Sequence, residues 1–318
     1  MSKKVLIPTD ISEPGKEYLR SRGYEIKFGH GIDEETIIQD IQDCDALLAR
    51  NEYITRHIIE SAPKLKVIAK HGVGLDKIDL EAAKDCKVWV TNGPISNTVA
   101  VAEHTMLLIL ACAKRLVFFD AAVRSGNYEI RNKIKGTDLE GKTVGIIGLG
   151  KIGMQVAKKC HSGFDMKVVG YDPYIKKEQV PEYITCCDNM EDVIQTADFV
   201  SLHLPATAEN KEFFNAKMFS LMKPSAYFIN AARGSLVNET DLYAACKDGK
   251  IAGAGLDVFA AEPFDPNNPL FTLQNVTLTP HNAALTLETT DRMGLHAAQG
   301  IDEVLSGKIP TWAVVVPE

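Results

Sequence analysis

The chain has 318 residues, 45% of them apolar and 24% charged, the balance of a globular protein with room for two ordinary domains. Its net charge of −7 argues against a nucleic-acid partner, and its longest apolar stretch near a helix, Thr105–Ala113, falls well short of the roughly 18 residues a membrane-spanning helix needs, so no membrane partner is expected. Its seven cysteines are scattered without a CxxC pair and no HExxH occurs, so reduced thiols, a cytoplasmic setting and no metal ion are expected.

The N-terminus, MSKKVLIPTD, lacks a long apolar core followed by a small-residue cleavage site, so no secretory leader is expected. Val5–Thr9, Glu25–Phe28, Ala46–Ala49, Leu65–Ala69 and Val88–Thr91 read as short strands, with helical stretches such as Glu34–Ile41 and Thr55–Ser61 between them. This alternation predicts a parallel sheet covered by helices, a small α/β unit over roughly the first hundred residues. Asn92-Gly93-Pro94 signals a turn. Thr98–Phe118 is long, apolar and alanine-rich, with Glu103 in its first turns, and reads as one buried helix joining two units. Arg124–Gly136, polar and irregular, reads as a surface arm.

The second unit opens on Lys142–Gly148, KTVGIIG, a β-branched apolar run expected to form a buried strand. Gly148, Gly150 and Gly153 follow as G-L-G-K-I-G, Lys151–His161 is helix-compatible, and Met166–Tyr171 is a second apolar run ending at Asp172. A dinucleotide site asks for this layout. Gly148 allows the tight turn, Gly150 lets the backbone approach a pyrophosphate, Gly153 lets helix pack on strand, and the helix N-terminus offers N–H groups to the phosphates. Asp172, 19 residues after Gly153, stands close to the spacing of about 20 expected for the acid that accepts from the adenosine ribose hydroxyls. The cofactor expected is therefore NAD.

Asp198–Leu204, Ala226–Asn230, Ile251–Leu256 and Val276–Thr279 are four more strand candidates, with helical pieces Met190–Thr196, Ala216–Met222 and Glu239–Lys247 among them. Leu287–Leu305 reads as a final long helix that Gly307 ends. The stretch Gly136–Thr143 also matches the P-loop pattern, but Lys142 and Thr143 lead into a strand instead of opening a helix, and Asp138 and Glu140 would repel phosphate. Asn238-Glu239-Thr240 fits a glycosylation acceptor, which a cytosolic chain does not present to that machinery.

Charged residues follow each of the last three strands: Arg233 after Ala226–Asn230, Asp257 and then Glu262 after Ile251–Leu256, and His281 after Val276–Thr279. Singly, Arg233 reads as a salt-bridge residue, Glu262 as part of a turn before Pro263 and His281 as a structural histidine. In open α/β sheets, however, ligands bind outside the carboxyl ends of the strands, so these side chains converge on the edge where the glycine loop holds a cofactor. A cation, an acid and an imidazole suit carbonyl reduction. Arginine pairs with a substrate carboxylate and polarises the carbonyl. Histidine exchanges the hydroxyl proton, and a carboxylate beside it favours the imidazolium.

With these residues in view, the chain resembles the D-isomer-specific 2-hydroxyacid dehydrogenases of the phosphoglycerate dehydrogenase-like group. The resemblance rests on His71–Asp79, Asn97 with Val101–Glu103, Gly141–Gly153, Phe228–Val237, Gly253–Pro263 and Thr279–Ala284. It implies two Rossmann-like or flavodoxin-like parallel-sheet α/β domains: a discontinuous substrate domain of residues 1–97 and 288–318, and an NAD-binding domain of residues 98–287. It implies a catalytic triad of Arg233, Glu262 and His281, and Asp257 holding the nicotinamide carboxamide. Lys151 and Ile152 would touch the pyrophosphate, and Leu204, Pro205, Ala231, Ala232 and Ala284 would line the cofactor groove. The backbone at Val73 and Gly74 would receive the substrate carboxylate. A homodimer built on the nucleotide domains is also implied. A regulatory domain after Glu318, and feedback control through one, are not expected, and Asn282-Ala283-Ala284 replaces the glycines common after the histidine.

The expected substrate is a small 2-hydroxy or 2-keto acid. Arg50, Asn51 and Lys70 fall where the phosphoglycerate enzymes place groups for the substrate's phosphate, while glyoxylate, hydroxypyruvate and branched 2-keto acids stay open. The reading from another class is a non-catalytic NAD-sensing corepressor-like protein, which turnover of NADH with 2-keto acids would separate from an enzyme.

Overall fold

The computed structural model describes residues 2–317 and divides into two compact units, Met1–Thr98 with Ala284–Glu318, and Val99–Ala283. In the first unit, β1 (Lys4–Ile7), β2 (Glu25–Phe28), β3 (Ala46–Ala49), β4 (Val67–Lys70) and β5 (Trp89–Thr91) alternate with α1 (Glu13–Ser21), α2 (Glu34–Ile41), α3 (Arg56–Glu60) and α4 (Leu80–Asp85). Among the described residues they form a six-stranded sheet ordered β13-β5-β4-β3-β1-β2, parallel except for β13 (Ala313–Val315), which runs antiparallel to β5. The order reverses between β1 and β3, and strands on either side of such a reversal open a crevice at their carboxyl ends. β3, with the sequence ALLA, is buried throughout, as a parallel strand covered on both faces must be.

The second unit begins with α5 (Thr98–Lys114), α6 (Leu116–Arg124) and α7 (Ile130–Lys133). Its strands are β6 (Thr143–Ile147), β7 (Lys167–Tyr171), β8 (Ile184–Cys186), β9 (Phe199–Leu202), β10 (Tyr227–Asn230), β11 (Gly253–Leu256) and β12 (Val276–Leu278). They are parallel, in the order β12-β11-β10-β9-β6-β7-β8, with α8 (Lys151–Phe164), α9 (Met190–Thr196), α10 (Ala216–Leu221) and α11 (Glu239–Lys247) between them in sequence. The reversal here lies between β6 and β9. The final helix, α12 (Leu287–Leu305), packs on α1 in the first unit.

Local chemistry sets many of the helix starts. Asp33, Thr55, Asp79, Asn189, Asn238 and Thr286 each accept a backbone N–H from the first turn of the helix that follows. Asn238, the asparagine of the glycosylation-like tripeptide, is thus the cap of α11. Thr143 begins β6, as the argument against a P-loop required.

Two sequence expectations change. The single helix over Thr98–Phe118 is two helices, because Arg115 takes a left-handed backbone conformation (φ 52°) that interrupts the i to i+4 ladder. α5 buries residues almost all round, whereas none of α6 is buried, so one apolar run covers two different environments. Within the arm Arg124–Gly136 there is a short helical turn, α7. Among the described residues, no helix is long and apolar enough to cross a membrane.

Candidate active site

The glycine loop stands at the carboxyl end of β6, beside the strand reversal. Gly148 has φ +97°, and a Cβ there would stand 2.6 Å from the His203 carbonyl oxygen. A Cβ on Gly153 would stand 2.0 Å from Gly148 O, so both positions require glycine for the loop to fold back onto its own helix. At Gly150, by contrast, a Cβ would meet nothing within 4 Å, which leaves the approach to the loop open. Gly150 is also the N-cap of α8, and no side chain caps that helix. The N–H groups of its first turn therefore remain for an anion, which the positive end of the helix dipole favours. Lys151 begins α8 and is exposed, and Ile152 beside it is half-buried.

Asp172, just past β7, accepts Leu149 N–H through Oδ2 and Tyr174 N–H through Oδ1, each at 2.9 Å. It is half-buried, tied to the glycine loop, with acceptor capacity left for ribose hydroxyls. Loop, uncapped helix end and acid together fit a dinucleotide. Leu204 and Ala232 are half-buried, Ala231 is buried and Pro205 is exposed, all following the carboxyl ends of β9 and β10.

Arg233, Glu262 and His281 come from three successive loops on this edge. Asn230, buried at the end of β10, accepts Ala232 N–H at 3.0 Å and donates to Arg233 O at 2.9 Å, so it shapes the short turn that carries the arginine. Gly234 lets this turn press on the loop that carries Glu262: a Cβ there would stand 1.9 Å from both C and O of Phe259. Glu262 accepts Phe259 N–H through Oε1 at 3.2 Å and meets His281 Nδ1 through Oε2 at 2.6 Å. The side chains are 31% and 47% exposed, so the pair faces outward and is open to a ligand. Burial pushes the Glu262 carboxyl up. The His281 hydrogen bond and charge, the Phe259 amide and the charge of Arg233 outweigh it, and Glu262 stays below the usual carboxylate range.

His281 has φ 51°, a left-handed conformation that costs a non-glycine residue about 1–2 kcal/mol. Its N–H donates to Asp257 O at 2.7 Å, while Asn282 N–H and Ala283 N–H donate to the Asp257 carboxylate at 3.0 Å. Asp257 is fully buried. Its carboxylate is committed to backbone N–H groups of the segment that carries His281. What Asp257 does here is hold the His281 turn. Two further partners on this carboxylate, His104 and Thr279, escaped the sequence reading, although both lie within quoted stretches: His104 directly follows Glu103, and Thr279 begins TPHNAA.

The remaining candidates belong to the first unit, except that Ala284 opens its returning segment. Arg50 and Asn51 follow β3, and Lys70 ends β4. Arg50 donates to Asp10 O, Lys70 Nζ to Arg50 O, and Lys77 Nζ to Asn51 O. The buried Glu52 accepts Thr9 Oγ1 and Arg50 N–H, fastening β1 to the β3 end. The Val73–Gly74 loop follows, with Asn92 donating to Val73 O at 2.8 Å and Gly93 N–H to Gly72 O at 2.8 Å. Beside them His71 is buried. Desolvation, with the charges of Arg50 and Lys70, pushes its imidazole down to about 4, so it is neutral.

The family described as "D-isomer specific 2-hydroxyacid dehydrogenase, NAD binding domain" matches residues 106–283, more than half of the chain. The chain belongs to the D-isomer-specific 2-hydroxyacid dehydrogenase family. This is a family of NAD-dependent oxidoreductases, and the second unit carries its NAD-binding domain. Among relatives, a D-3-phosphoglycerate dehydrogenase of Methanocaldococcus jannaschii is 40% identical over 316 residues, 99% of this chain and 60% of that protein. The chain thus spans about 60% of the length of that relative. A glyoxylate reductase of Korarchaeum cryptofilum is 38% identical over 321 residues, 98% of this chain and 95% of that one. A Thermus thermophilus protein of known crystal structure superposes with a TM-score of 0.90 at 34% identity, covering 98% of this chain and 100% of its own.

Proposed function

We propose that the chain is an NAD-dependent dehydrogenase of D-2-hydroxy acids, reducing the corresponding 2-keto acids in the reverse direction. The observation that carries this reading is the 2.6 Å contact between Glu262 and His281 Nδ1 in a chain of this family, with the Arg233 charge acting on the same carboxylate. Because Glu262 occupies Nδ1, Nε2 is the nitrogen that meets a substrate oxygen. In reduction it gives its proton to the carbonyl oxygen, and in oxidation it removes the hydroxyl proton. Arg233 pairs with the substrate carboxylate and polarises the carbonyl. Bound NAD(H) supplies or receives the hydride at the substrate carbon. Gly148, Gly150, Lys151, Ile152 and Gly153 hold its pyrophosphate, Asp172 its adenosine ribose, and Leu204, Pro205, Ala231, Ala232 and Ala284 line its groove. Asp257 holds its nicotinamide carboxamide and also fixes the His281 turn.

Val73 and Gly74 receive the substrate carboxylate, and Arg50, Asn51 and Lys70 meet a distal anionic group. The basic residues at the β3 and β4 ends and the Methanocaldococcus relative support 3-phosphoglycerate as that substrate. The near-full-length match to a glyoxylate reductase favours a second reading, a glyoxylate or hydroxypyruvate reductase. A panel of 2-keto acids with and without a distal phosphate, assayed by NADH oxidation, separates the two. Failure to oxidise NADH with any of them would leave a non-catalytic NAD-binding role instead.

The protein works as a homodimer in the cytoplasm on this reading. Leu116, Val117 and Val123 of α6, each more than half exposed, support self-association. All seven cysteines as unpaired thiols support a reducing compartment.

A further inference from the structure

His104, on α5, lies 2.9 Å through Nε2 from Thr279 Oγ1 and 3.3 Å from Asp257 Oδ1, and its side chain is 11% exposed. Thr279 Oγ1 in turn lies 2.7 Å from Asp257 Oδ1. A threonine hydroxyl has one proton to give. The short contact to a carboxylate claims it, so Thr279 donates to Asp257 and its oxygen is left to accept from His104. Nε2 of His104 therefore carries a hydrogen, and donation runs His104 to Thr279 to Asp257. On its other side the same carboxylate accepts Asn282 N–H and Ala283 N–H, and the Asp257 carbonyl accepts His281 N–H. Burial pushes the Asp257 carboxyl up, yet the bonds from His104, Thr279, Asn282 and Ala283 outweigh it and keep the group below the usual carboxylate range.

We infer that His104 is a positioning residue for the reaction: through Thr279 it orients the Asp257 carboxylate, which holds the left-handed turn that presents His281. The inference rests on the proposed role of His281 as proton carrier. His104 touches neither His281 nor Glu262 within the described hydrogen bonds and ion pairs, so its effect passes through the backbone of the turn. Without its donor, Thr279 Oγ1 is drawn toward Leu256 O, 3.4 Å away, and the carboxylate loses an anchor on one side. The turn then relaxes out of its strained conformation, and the imidazole shifts relative to the substrate oxygen.

Four variants test this: His104→Leu, His104→Gln, Thr279→Val and the double variant His104→Leu/Thr279→Val. His104→Leu and Thr279→Val should each lower kcat for keto-acid reduction by about ten- to a hundredfold, the cost of a misplaced catalytic group, with little change in KM for NADH. The double variant should be no worse than either single, since both break one chain. His104→Gln keeps an N–H donor in nearly the same place and should recover most of the turnover. A readout independent of turnover is hydrogen exchange at the Asn282 and Ala283 amides, which should accelerate in His104→Leu and return in His104→Gln. If His104→Leu misfolds, the same comparison runs between Thr279→Val and Thr279→Ser. Unchanged amide exchange in a folded His104→Leu, additive losses in the double variant, or a Gln variant as impaired as Leu would each overturn the inference. A wild-type protein that reduces no 2-keto acid would sink the proposed function alone, because amide exchange still decides what His104 does.

Discussion

His281 is held in a conformation that few non-glycine residues adopt, and its ring nitrogen is committed to Glu262. Glu262 lies below the usual carboxylate range, so the stabilisation it gains in the folded protein is present above the unfolded value. That stabilisation is lost as pH falls through the depressed one. The Glu262 carboxylate is therefore ionised across neutral pH. On the proposed mechanism reduction takes a proton from His281 and oxidation returns one, and both use the Glu262 carboxylate to hold the ring, so turnover in both directions should fall as acid protonates Glu262. Glu262→Gln keeps the shape and removes the charge, so this acid limb should disappear and kcat should fall; an acid limb that coincides with wild type would mean that Glu262 does not hold His281 for proton transfer. His281→Ala should lower kcat by roughly a hundred- to ten-thousandfold, the loss typical of a general acid. NADH binding should change far less, because the glycine loop and Asp172 are untouched. The carboxylate of Asp172 also decides between cofactors. It would repel a 2′-phosphate, and Pro173-Tyr174 offers no arginine to offset it. Steady-state kinetics should give a higher kcat/KM with NADH than with NADPH, and equal values would undo that role for Asp172.

At the scale of elements, the site depends on loops that approach more closely than side chains allow. Gly234 sets the turn of Arg233 against the Phe259–Glu262 loop with no room for a Cβ. Gly234→Ala must drive the two apart, at the cost of about 1–3 kcal/mol typical of overpacking, and must separate Arg233 from Glu262. Both a lower melting temperature and a kcat/KM reduced by about a hundredfold are expected; a variant with wild-type kinetics would show that the two loops move independently. Strand ends were legible in the sequence because parallel strands are short apolar runs with charged residues just beyond them, as at Arg233 and His281. Glu34–Ile41, Met190–Thr196, Glu239–Lys247 and Leu287–Leu305 match their helices residue for residue, because a capping side chain marks the start of each. Other features were hidden for physical reasons. α1, which the sequence reading did not name, contains Pro14 and Gly15, residue types poorly suited to helix interiors. Yet proline is tolerated in a first turn, and a Cβ on Gly15 would stand 2.7 Å from the Gly294 backbone, so this glycine allows helix contact. The break at Arg115 is marked in the sequence only by the charged pair Lys114-Arg115, after which apolar residues resume from Leu116 to Phe119, and a charged pair alone does not end a helix. The support from His104 is a tertiary pairing across 175 residues, which local pattern does not reveal.

On the scale of the whole molecule, two questions remain: which substrate the first unit selects, and how the chain associates. Arg50→Ala and Lys70→Ala should raise KM for phosphohydroxypyruvate while largely sparing glyoxylate, which has no distal group. Equal effects on both would remove the support of these residues for a phosphorylated substrate. For the proposed homodimer, the candidate contact is α6. Leu116, Phe119 and Val123 recur at helical spacing along one stripe, and Val117 and Tyr128 add exposed apolar surface beside it. Leu116, Val117, Val123 and Tyr128 are 55%, 55%, 66% and 65% exposed, so in a lone chain this surface would lie against water. Burying apolar area is worth about 25 cal/mol per Å², and a stable interface typically covers about 800 Å² on each partner. In the proposed dimer a short helix together with the segment through Tyr128 would form only the core of such an interface, and adjoining parts of the same unit would supply the rest. A closed two-fold dimer sets this patch against its own copy and leaves no open end. Sedimentation velocity at micromolar concentration should give a dimer of the 34.9 kDa chain. Leu116→Asp/Val123→Asp places four uncompensated charges in a symmetric interface and should yield monomers that retain the secondary structure of the parent. Asp120→Ala/Arg124→Ala on the same helix removes an exposed ion pair that solvent screens, and should leave the dimer in place. A wild-type monomer at these concentrations, or a dimer that survives the two aspartates, would mean that α6 is not where two copies meet.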